Sequence, residues 1–219
     1  RRVTVSAGNL LPLTTEYTHV DQGPAAGLPA SETRSDGSWI LYEYDAGGRL
    51  ARTVTPWKDG TPQGGAALNR AIDYGYGPWS AEDLLYPGLP RRTVERIGGK
   101  AVSRTANMYV PDGEGVERHV TVRCSDPEGN DLAGEASTRW VAAPDAASWP
   151  GRPLKELAAD GRLTLWTYER GDWADGAFVP GEAGACLRTS VTRTGGGRPE
   201  GVPGRSTRTE WSFNMVGVP

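Results

Sequence analysis

The sequence predicts an all-β fold built from repeated antiparallel β-hairpins, and three observations support this. Short runs of alternating apolar and polar residues, bounded by Gly, Pro, Asp and Asn, dominate the chain, as is typical of strands joined by turns. Apolar residues at helical three-to-four spacing are rare, and Gly or Pro interrupts them. The segment Asp36 to Asp45 aligns without gaps with Asp160 to Glu169. We therefore expect an extended, curved sheet that grows by the addition of hairpins.

The composition indicates a packed protein, and it argues against nucleic acid and membranes as partners. Eight Trp and eight Tyr among 219 residues argue for a packed fold and against disorder. A formal net charge of −3 and a pI near 5.5 provide no electrostatic case for nucleic acid or for an anionic membrane. No apolar run approaches the roughly 20 residues that a membrane helix needs, so we expect no membrane insertion.

The aligned segments predict one hairpin unit each. In both, an Asp-Gly pair supplies the positive φ that a two-residue hairpin turn requires. In the first unit, the strand after the turn alternates between two faces. One face carries Trp39, Leu41 and Glu43, and the other carries Ile40, Tyr42 and Tyr44. Both faces bear bulky residues, so a single hairpin needs neighbours that cover it.

Weaker copies of the same pattern recur along the chain. A Thr- and Arg-rich strand follows each strong copy, at Leu50 to Thr55 and, after an insertion, at Leu187 to Thr192. We predict a single repeat-built β region over residues 1–219, as a piece of a longer polypeptide. Its approximate hairpin units are residues 28–57, 67–110, 115–141, 153–195 and 205–219.

The segment Tyr44-Asp45-Ala46-Gly47-Gly48-Arg49-Leu50 resembles the core of the YD repeat of the RHS family, in which Tyr-Asp and two spacers precede Gly-Arg-Leu. The preceding residues Gly37 to Tyr42 and the following Thr55-Pro56 also fit that pattern. The copy at Asp160 to Glu169 keeps the strand but lacks the Gly-Arg-Leu continuation. Asp126-Pro127-Glu128-Gly129-Asn130 departs from the self-cleavage motif of the family and predicts only a turn.

The resemblance implies a long sheet of hairpins that spirals into a hollow shell. RHS proteins and related insecticidal toxin-complex subunits enclose a toxic segment in such a shell, and teneurins carry a similar one in adhesion. By this resemblance the chain is a non-enzymatic structural segment of a secreted or cell-surface bacterial protein, within a shell or a β-solenoid-like repeating assembly. The expected partners are further segments of YD-repeat chain, or other copies of this chain, which would join it through the edges of the sheet. The residues implied to be structural are Asp36, Gly37, Tyr42, Tyr44, Asp45, Gly48, Arg49, Leu50, Asp160, Gly161, Trp166 and Tyr168.

Two other functions stay open from the sequence. Trp57, Trp79, Trp149 and Trp173 lie in Gly-, Pro- and Asp-rich contexts, where they either stack on sugar rings of a glycan or cover the ends of the sheet. An extracellular module that binds glycans or a partner protein is therefore the alternative.

The third possibility is a fragment of a β-rich glycan-active enzyme, with Glu43, Asp45 and Glu169 as candidate carboxylates. The sequence contains no nucleophile elbow, no phosphate-binding loop and no His-Glu-x-x-His zinc-binding motif. We therefore expect no enzyme activity, cofactor or metal. Cys124 and Cys186 either form a disulfide or remain free thiols.

Overall fold

The computed structural model describes residues 2–5, 13–182, 184–194 and 206–214. This part of the chain is all-β and contains 15 strands, which confirms the predicted fold class. The strands are β1 (Arg2–Val5), β2 (Leu13–His19), β3 (Pro29–Arg34), β4 (Trp39–Tyr44), β5 (Leu50–Thr55), β6 (Arg70–Gly75), β7 (Arg92–Ile97), β8 (Lys100–Pro111), β9 (Val116–Cys124), β10 (Gly134–Ala142), β11 (Pro153–Leu157), β12 (Leu163–Ala174), β13 (Ala177–Pro180), β14 (Cys186–Thr194) and β15 (Ser206–Asn214). A 3-10 turn at Pro62–Gly64 and the helix α1 (Gly65–Leu68) are short.

Each strand neighbours the next one along the chain, so the sheet is a succession of hairpins. The exception is β13, which among the described strands pairs only with β12, while β12 continues to β14. All the registered pairs are antiparallel, as the predicted hairpins require, for example β4 with β5 and β14 with β15. No helix in the described ranges is long and apolar enough to cross a membrane.

The described residues form two compact units. Unit 1 lies within Arg1–Ser80, Tyr86–Asn107 and Val122–Gly134. Unit 2 lies within Ala81–Leu85, Met108–Thr121 and Glu135–Pro219.

The core of unit 1 forms on one face of β4, β5 and β6. Trp39, Val54 and Ala71 are buried there, and Leu41 packs against them. Leu41 faces Val54, which in turn faces Ala71, so the alternation predicted for β4 places these side chains on one face. The helix α1 lies in the connection between β5 and β6 and brings Ala66 onto this cluster. The short connection between β5 and β6 therefore helps to cover a face that a single hairpin would leave open.

The internal repeat is visible in the pairing of three strands, β2–β4 in unit 1 and β10–β12 in unit 2. Glu32 pairs with Tyr17 and Ile40, and Glu156 pairs in the same way with Arg139 and Thr164. A register shift follows Thr18 in β2, and one follows Trp140 at the matching place in β10. The repeat therefore covers a third strand that the sequence alignment did not include.

The Asp-Gly turns differ from the predicted two-residue type. The N–H of Arg34 donates to the carbonyl of Ser38, and the N–H of Gly37 donates to the carbonyl of Arg34. Gly37 has φ +85°, whereas Asp36 is not among the residues with positive φ. Since a type I′ turn needs positive φ at both central residues, this is a three-residue loop with a glycine bulge. The bonds between Ala158, Gly161 and Arg162 repeat it.

The correspondence between the two copies ends after their shared tyrosine. The sequence aligns Leu50 with Leu187, and Tyr44 does pair with Leu50 across a register shift. Tyr168, however, pairs with Thr189. The difference arises because β4 ends at the turn after Tyr44, while β12 runs on to Ala174.

Candidate functional site

The turn that carries the Tyr-Asp motif is held together by its own side chains. Oδ1 of Asp45 accepts hydrogen bonds from the backbone N–H groups of Gly47 (2.8 Å) and Arg49 (2.9 Å). Oδ2 of Asp45 accepts from Nε of Arg49 at 2.9 Å. The N–H of Arg49, together with its guanidinium and the N–H of Gly47, holds the pKa of Asp45 below its usual value despite desolvation. Asp45 therefore folds the turn and stays ionised.

Gly48 and Arg49 complete this turn through contacts with neighbouring segments. Gly48 has φ +80°, and a Cβ there would lie 2.7 Å from the carbonyl oxygen of Pro24. Only glycine satisfies both conditions. The guanidinium of Arg49 lies over the ring of Tyr76, with 4.5 Å between Cζ and the ring centroid. Leu50 contributes its carbonyl oxygen, which accepts a hydrogen bond from the Tyr76 hydroxyl at 2.8 Å.

Three tyrosine hydroxyls make the same kind of bond. Tyr44 donates to the carbonyl of Pro29 at 2.8 Å, and Tyr168 donates to that of Pro153 at 2.7 Å. Pro29, Pro153 and Leu50 are each the first residue of a strand, β3, β11 and β5. Each tyrosine hydroxyl therefore bonds to the first residue of an earlier strand. Burial raises the pKa of Tyr44, so its hydroxyl keeps the proton that it donates.

The other residues implied to be structural also lie at turns and between strands. Oδ1 of Asp36 accepts from the N–H of Ser38 at 2.9 Å, and Oδ1 of Asp160 accepts from that of Arg162 at 3.1 Å. Gly161 has φ +78°. The hydroxyl of Tyr42 lies 3.3 Å from Oε2 of Glu32, and Trp166 pairs with Val191 across β12 and β14.

The four tryptophans proposed to stack on ligands fall into two groups. Trp57 is 40% exposed and Trp173 is 56% exposed, so both present ring surface to solvent. Trp79 is half-buried and donates from Nε1 to the carbonyl of Arg91 at 2.9 Å. Trp149 is half-buried and packs on Tyr168, with 5.6 Å between ring centroids. Trp57 and Trp173 are thus the more exposed pair, although Trp173 also meets the ring of Phe178 edge-on, with 6.3 Å between centroids.

The candidate carboxylates each contact an arginine. Glu43 lies 3.3 Å from Nη1 of Arg52, Asp45 pairs with Arg49, and Glu169 pairs with Arg188. A proton donor for glycoside hydrolysis needs a raised pKa, whereas that of Asp45 is lowered. Among the described residues, no cluster of His, Cys, Asp and Glu is arranged to hold a metal ion.

A small polar cleft lies on β12 and β14 in unit 2. Its volume is about 230 Å³, and Thr167, Tyr168, Glu169, Arg188 and Ser190 line it. The guanidinium of Arg188 lies over the ring of Phe178 at 4.8 Å. Because Glu169 and Arg188 pair with each other, the cleft presents mainly neutral hydroxyl groups.

A second group of side chains in unit 2 is more distinctive, and we refer to it as the arginine–aromatic cluster. It consists of Arg139, Trp149, Arg152, Trp166, Tyr168 and Arg170. Cζ of each arginine lies over a ring, at 5.6 Å for Arg139 on Trp166, 5.3 Å for Arg152 on Tyr168 and 5.8 Å for Arg170 on Trp149. Burial raises the pKa of Tyr168, against the opposing effect of the guanidiniums of Arg152 and Arg139.

The sequence pattern indicated the aromatic members of this cluster but not its arginines. Arg139 comes from β10, and Arg152 precedes β11, so neither is close in sequence to Tyr168. A gapless extension of the sequence alignment would set Tyr17 against Val141. The observed register instead places Arg139 opposite Glu156, where the first copy has Tyr17 opposite Glu32.

Both cysteines carry free thiols. Cys124 is buried and lies in unit 1, whereas Cys186 is half-buried and lies in unit 2.

Comparison with known proteins identifies no family for this chain. No protein-family model matches it, and no curated protein matches it. A solved structure of a porin-like protein from Bacteroides uniformis aligns with a TM-score of 0.40 and 14% sequence identity, over 96% of this chain and 81% of that one. A likeness at this level leaves the function to be argued from the residues.

Proposed function

We propose that the chain is a non-enzymatic structural segment of a YD-repeat β-sheet, belonging to a secreted or cell-surface protein and contributing to a shell or repeating assembly. The observation that carries this proposal is the three-stranded unit that occurs twice, with the same pairings, the same register shift and the same tyrosine bond. Repetition of a strand unit builds a surface by addition, and it is characteristic of structural arrays.

The use of the Tyr-Asp motif points in the same direction. Asp45, Gly48 and Arg49 are engaged in contacts that fold their own turn or hold a neighbouring segment. Residues occupied in this way stabilise a sheet, and they are not free to act on a substrate.

Strand edges are the surfaces by which such a segment would join its neighbours. Within the described residues, β15 is a nine-residue strand that pairs with β14 alone. A long edge strand presents N–H and C=O groups to another strand, so it favours association with more YD-repeat chain or with a copy of the same chain.

The test is a measurement of mass by light scattering over a wide range of concentrations, with electron microscopy of the same samples. We expect a mass above the 23.4 kDa of one chain, rising with concentration, and closed or filamentous particles. Thr209→Lys places a charge at an exposed position on β15 and should shift the mass toward one chain. Thr61→Lys, at an exposed loop position, is the matched control and should not. A monomer at every concentration would count against the proposal.

The second candidate is an extracellular glycan-binding module, which the exposure of Trp57 and Trp173 favours. Exposed indole rings stack on the apolar faces of sugars, and both rings are available for this. We expect binding on a glycan array to weaken on Trp173→Ala or Trp57→Ala. Leu84→Ala removes another exposed apolar side chain and serves as the control. Equal loss in all three variants would argue against stacking at the tryptophans.

A further inference from the structure

The arginine–aromatic cluster is a feature of one copy of the internal repeat. Glu32 and Glu156 occupy matching positions and pair with matching strands. Across from them, the first copy has Tyr17 where the second has Arg139. The turn before β3 and the turn before β11 are closed by the same bond, from the N–H of Leu28 to the carbonyl of Ala25 and from that of Arg152 to that of Trp149. The scaffold therefore does not require Arg139, Arg152 or Trp149.

The positive charge of the cluster is largely uncompensated. Arg139 is 3.7 Å from Glu156, and its side chain is 50% exposed. Arg152 and Arg170 are also exposed, and no described carboxylate lies within ion-pair distance of either. Three cations on one part of a chain whose net charge is −3 form a local exception to its acidic character.

The rings beneath the guanidiniums prepare them to bind an anion. A guanidinium that lies over an aromatic ring covers one planar face and keeps its edge N–H groups free for bidentate bonds to a carboxylate. The Tyr168 ring is itself held in place by its hydroxyl, which bonds the carbonyl of Pro153 at 2.7 Å. Arg152 is therefore supported by a ring whose orientation is restrained by a hydrogen bond.

Trp149 adds an independent indication. Its φ is +58°, in the left-handed region that a bulky residue rarely adopts. Strained backbone of this kind concentrates at binding and switching sites. Here the ring of Trp149 packs on Tyr168 and supports Arg170.

We propose that the arginine–aromatic cluster binds an acidic polysaccharide, with its guanidiniums taking the carboxylates of successive sugar rings. Each guanidinium sits on its own ring, which suits a chain with one carboxylate per sugar better than a single multiply charged group. This inference rests on the second candidate function and names its ligand class; the proposal of a structural segment does not depend on it.

The test uses the full chain and compares two ligands that share a sugar backbone but differ in whether their carboxyl groups are charged. The probes are an oligosaccharide of galacturonic acid and its methyl ester, with binding followed by calorimetry. We expect the acid to bind, the ester to bind at least about tenfold more weakly, and added salt to weaken binding of the acid.

The variants follow the internal repeat. Arg152→Leu and Arg139→Tyr introduce the residues that the first copy carries at the matching positions, and each should weaken binding of the acid about tenfold. Arg162→Ser also introduces the first copy's residue and removes one cation from the Asp-Gly turn, so it is the control and should bind as the parent chain does. If either cluster variant unfolds, Arg170→Ala, at an exposed position, replaces it.

Four results would overturn the inference. If the acid and the ester bound equally well, glycan binding would stand, but recognition of the carboxylates by the arginines would be contradicted. Absence of binding to both probes would contradict the second candidate function as well. Equal weakening by Arg162→Ser would show a general charge effect. Tighter binding of a single-stranded oligonucleotide than of the acid would show that the ligand class is wrong.

Discussion

At the scale of single residues, three tyrosine hydroxyls connect separate strands through backbone carbonyls. Tyr44, Tyr76 and Tyr168 each reach back to the first carbonyl of an earlier strand. This bond holds each tyrosine side chain against the first residue of the earlier strand. Because this bond has the same geometry in both copies of the repeat, we expect the hydroxyls of Tyr44 and Tyr168 to contribute equally to the free energy of unfolding.

Removing either hydroxyl should therefore cost stability. We expect Tyr44→Phe and Tyr168→Phe each to lower the free energy of unfolding by about 1 kcal/mol, because each leaves a carbonyl without its donor. Urea unfolding measures the change. Tyr74→Phe is the control, since the Tyr74 hydroxyl has no hydrogen-bond partner among the described residues, and it should change stability by a few tenths of that amount. An equal loss in all three would contradict the assigned role.

At the scale of strands, a row of alternating charges crosses unit 1. Asp73 on β6 accepts hydrogen bonds from Arg52 on β5 and from Arg96 on β7, the second at 2.8 Å. Glu43 pairs with the outer side of Arg52, and Glu128 pairs with that of Arg96. Burial alone would raise the pKa of Asp73, but the hydrogen bonds and charges of the two arginines outweigh it and lower the pKa below 3.8.

The lowered pKa of Asp73 predicts a dependence of stability on pH. A carboxylate whose pKa is lower in the folded chain stabilises it above the unfolded pKa, and this contribution is lost as pH falls through the folded value. We expect Asp73→Asn to unfold at lower urea concentration than the parent at pH 7, and the difference to shrink as pH falls below about 3.8.

Asp175→Asn is the control for the titration. It lies at the exposed β12–β13 turn, where no described cation pairs with it. A constant difference between Asp73→Asn and the parent down to the most acidic pH would contradict the assigned ion pairs.

At the scale of the whole molecule, each unit has a protected interior and a less protected margin. Val54 and Ala71 in unit 1 are fully buried, while β1 pairs with β2 alone in the described part of the chain. In unit 2, Leu187 and Val191 on β14 are buried, while β13 pairs with β12 and with no other described strand. Local opening follows burial and pairing, so these margins should open first.

Hydrogen exchange followed by mass spectrometry or NMR tests this order. We expect the slowest amides of unit 1 on β5 and β6, and those of unit 2 on β14. The amides of β1 and β13 should exchange at least about tenfold faster, because opening them breaks one ladder and exposes little apolar surface. Protection of β13 equal to that of β14 would show that the hairpin is held more firmly than its pairing indicates.

The sequence was sufficient for features that depend on neighbouring residues. Alternation placed Trp39 and Leu41 on one face, and the Asp-Gly pairs marked two turns, although the turn type depended on the φ of Asp36. The partner of Tyr44 could not be predicted, because Pro29 lies in another strand and contributes only a backbone carbonyl. The arginine–aromatic cluster could not be predicted for the same reason, because its residues come from three separate segments.

The β12–β13 hairpin shows how this sheet tolerates an insertion. β12 continues past the end of its counterpart β4, and β13 folds back on the extension from Gly171 to Ala174. β14 still pairs with β12 from Thr164 to Gly171, so the extra chain lengthens one strand and leaves the ladder beside it unchanged. Its tip, Asp175-Gly176, is exposed and adopts positive φ at both residues. Foreign peptides, tags or whole domains grafted at this tip would be displayed outside the sheet, with the pairing of β12 and β14 preserved.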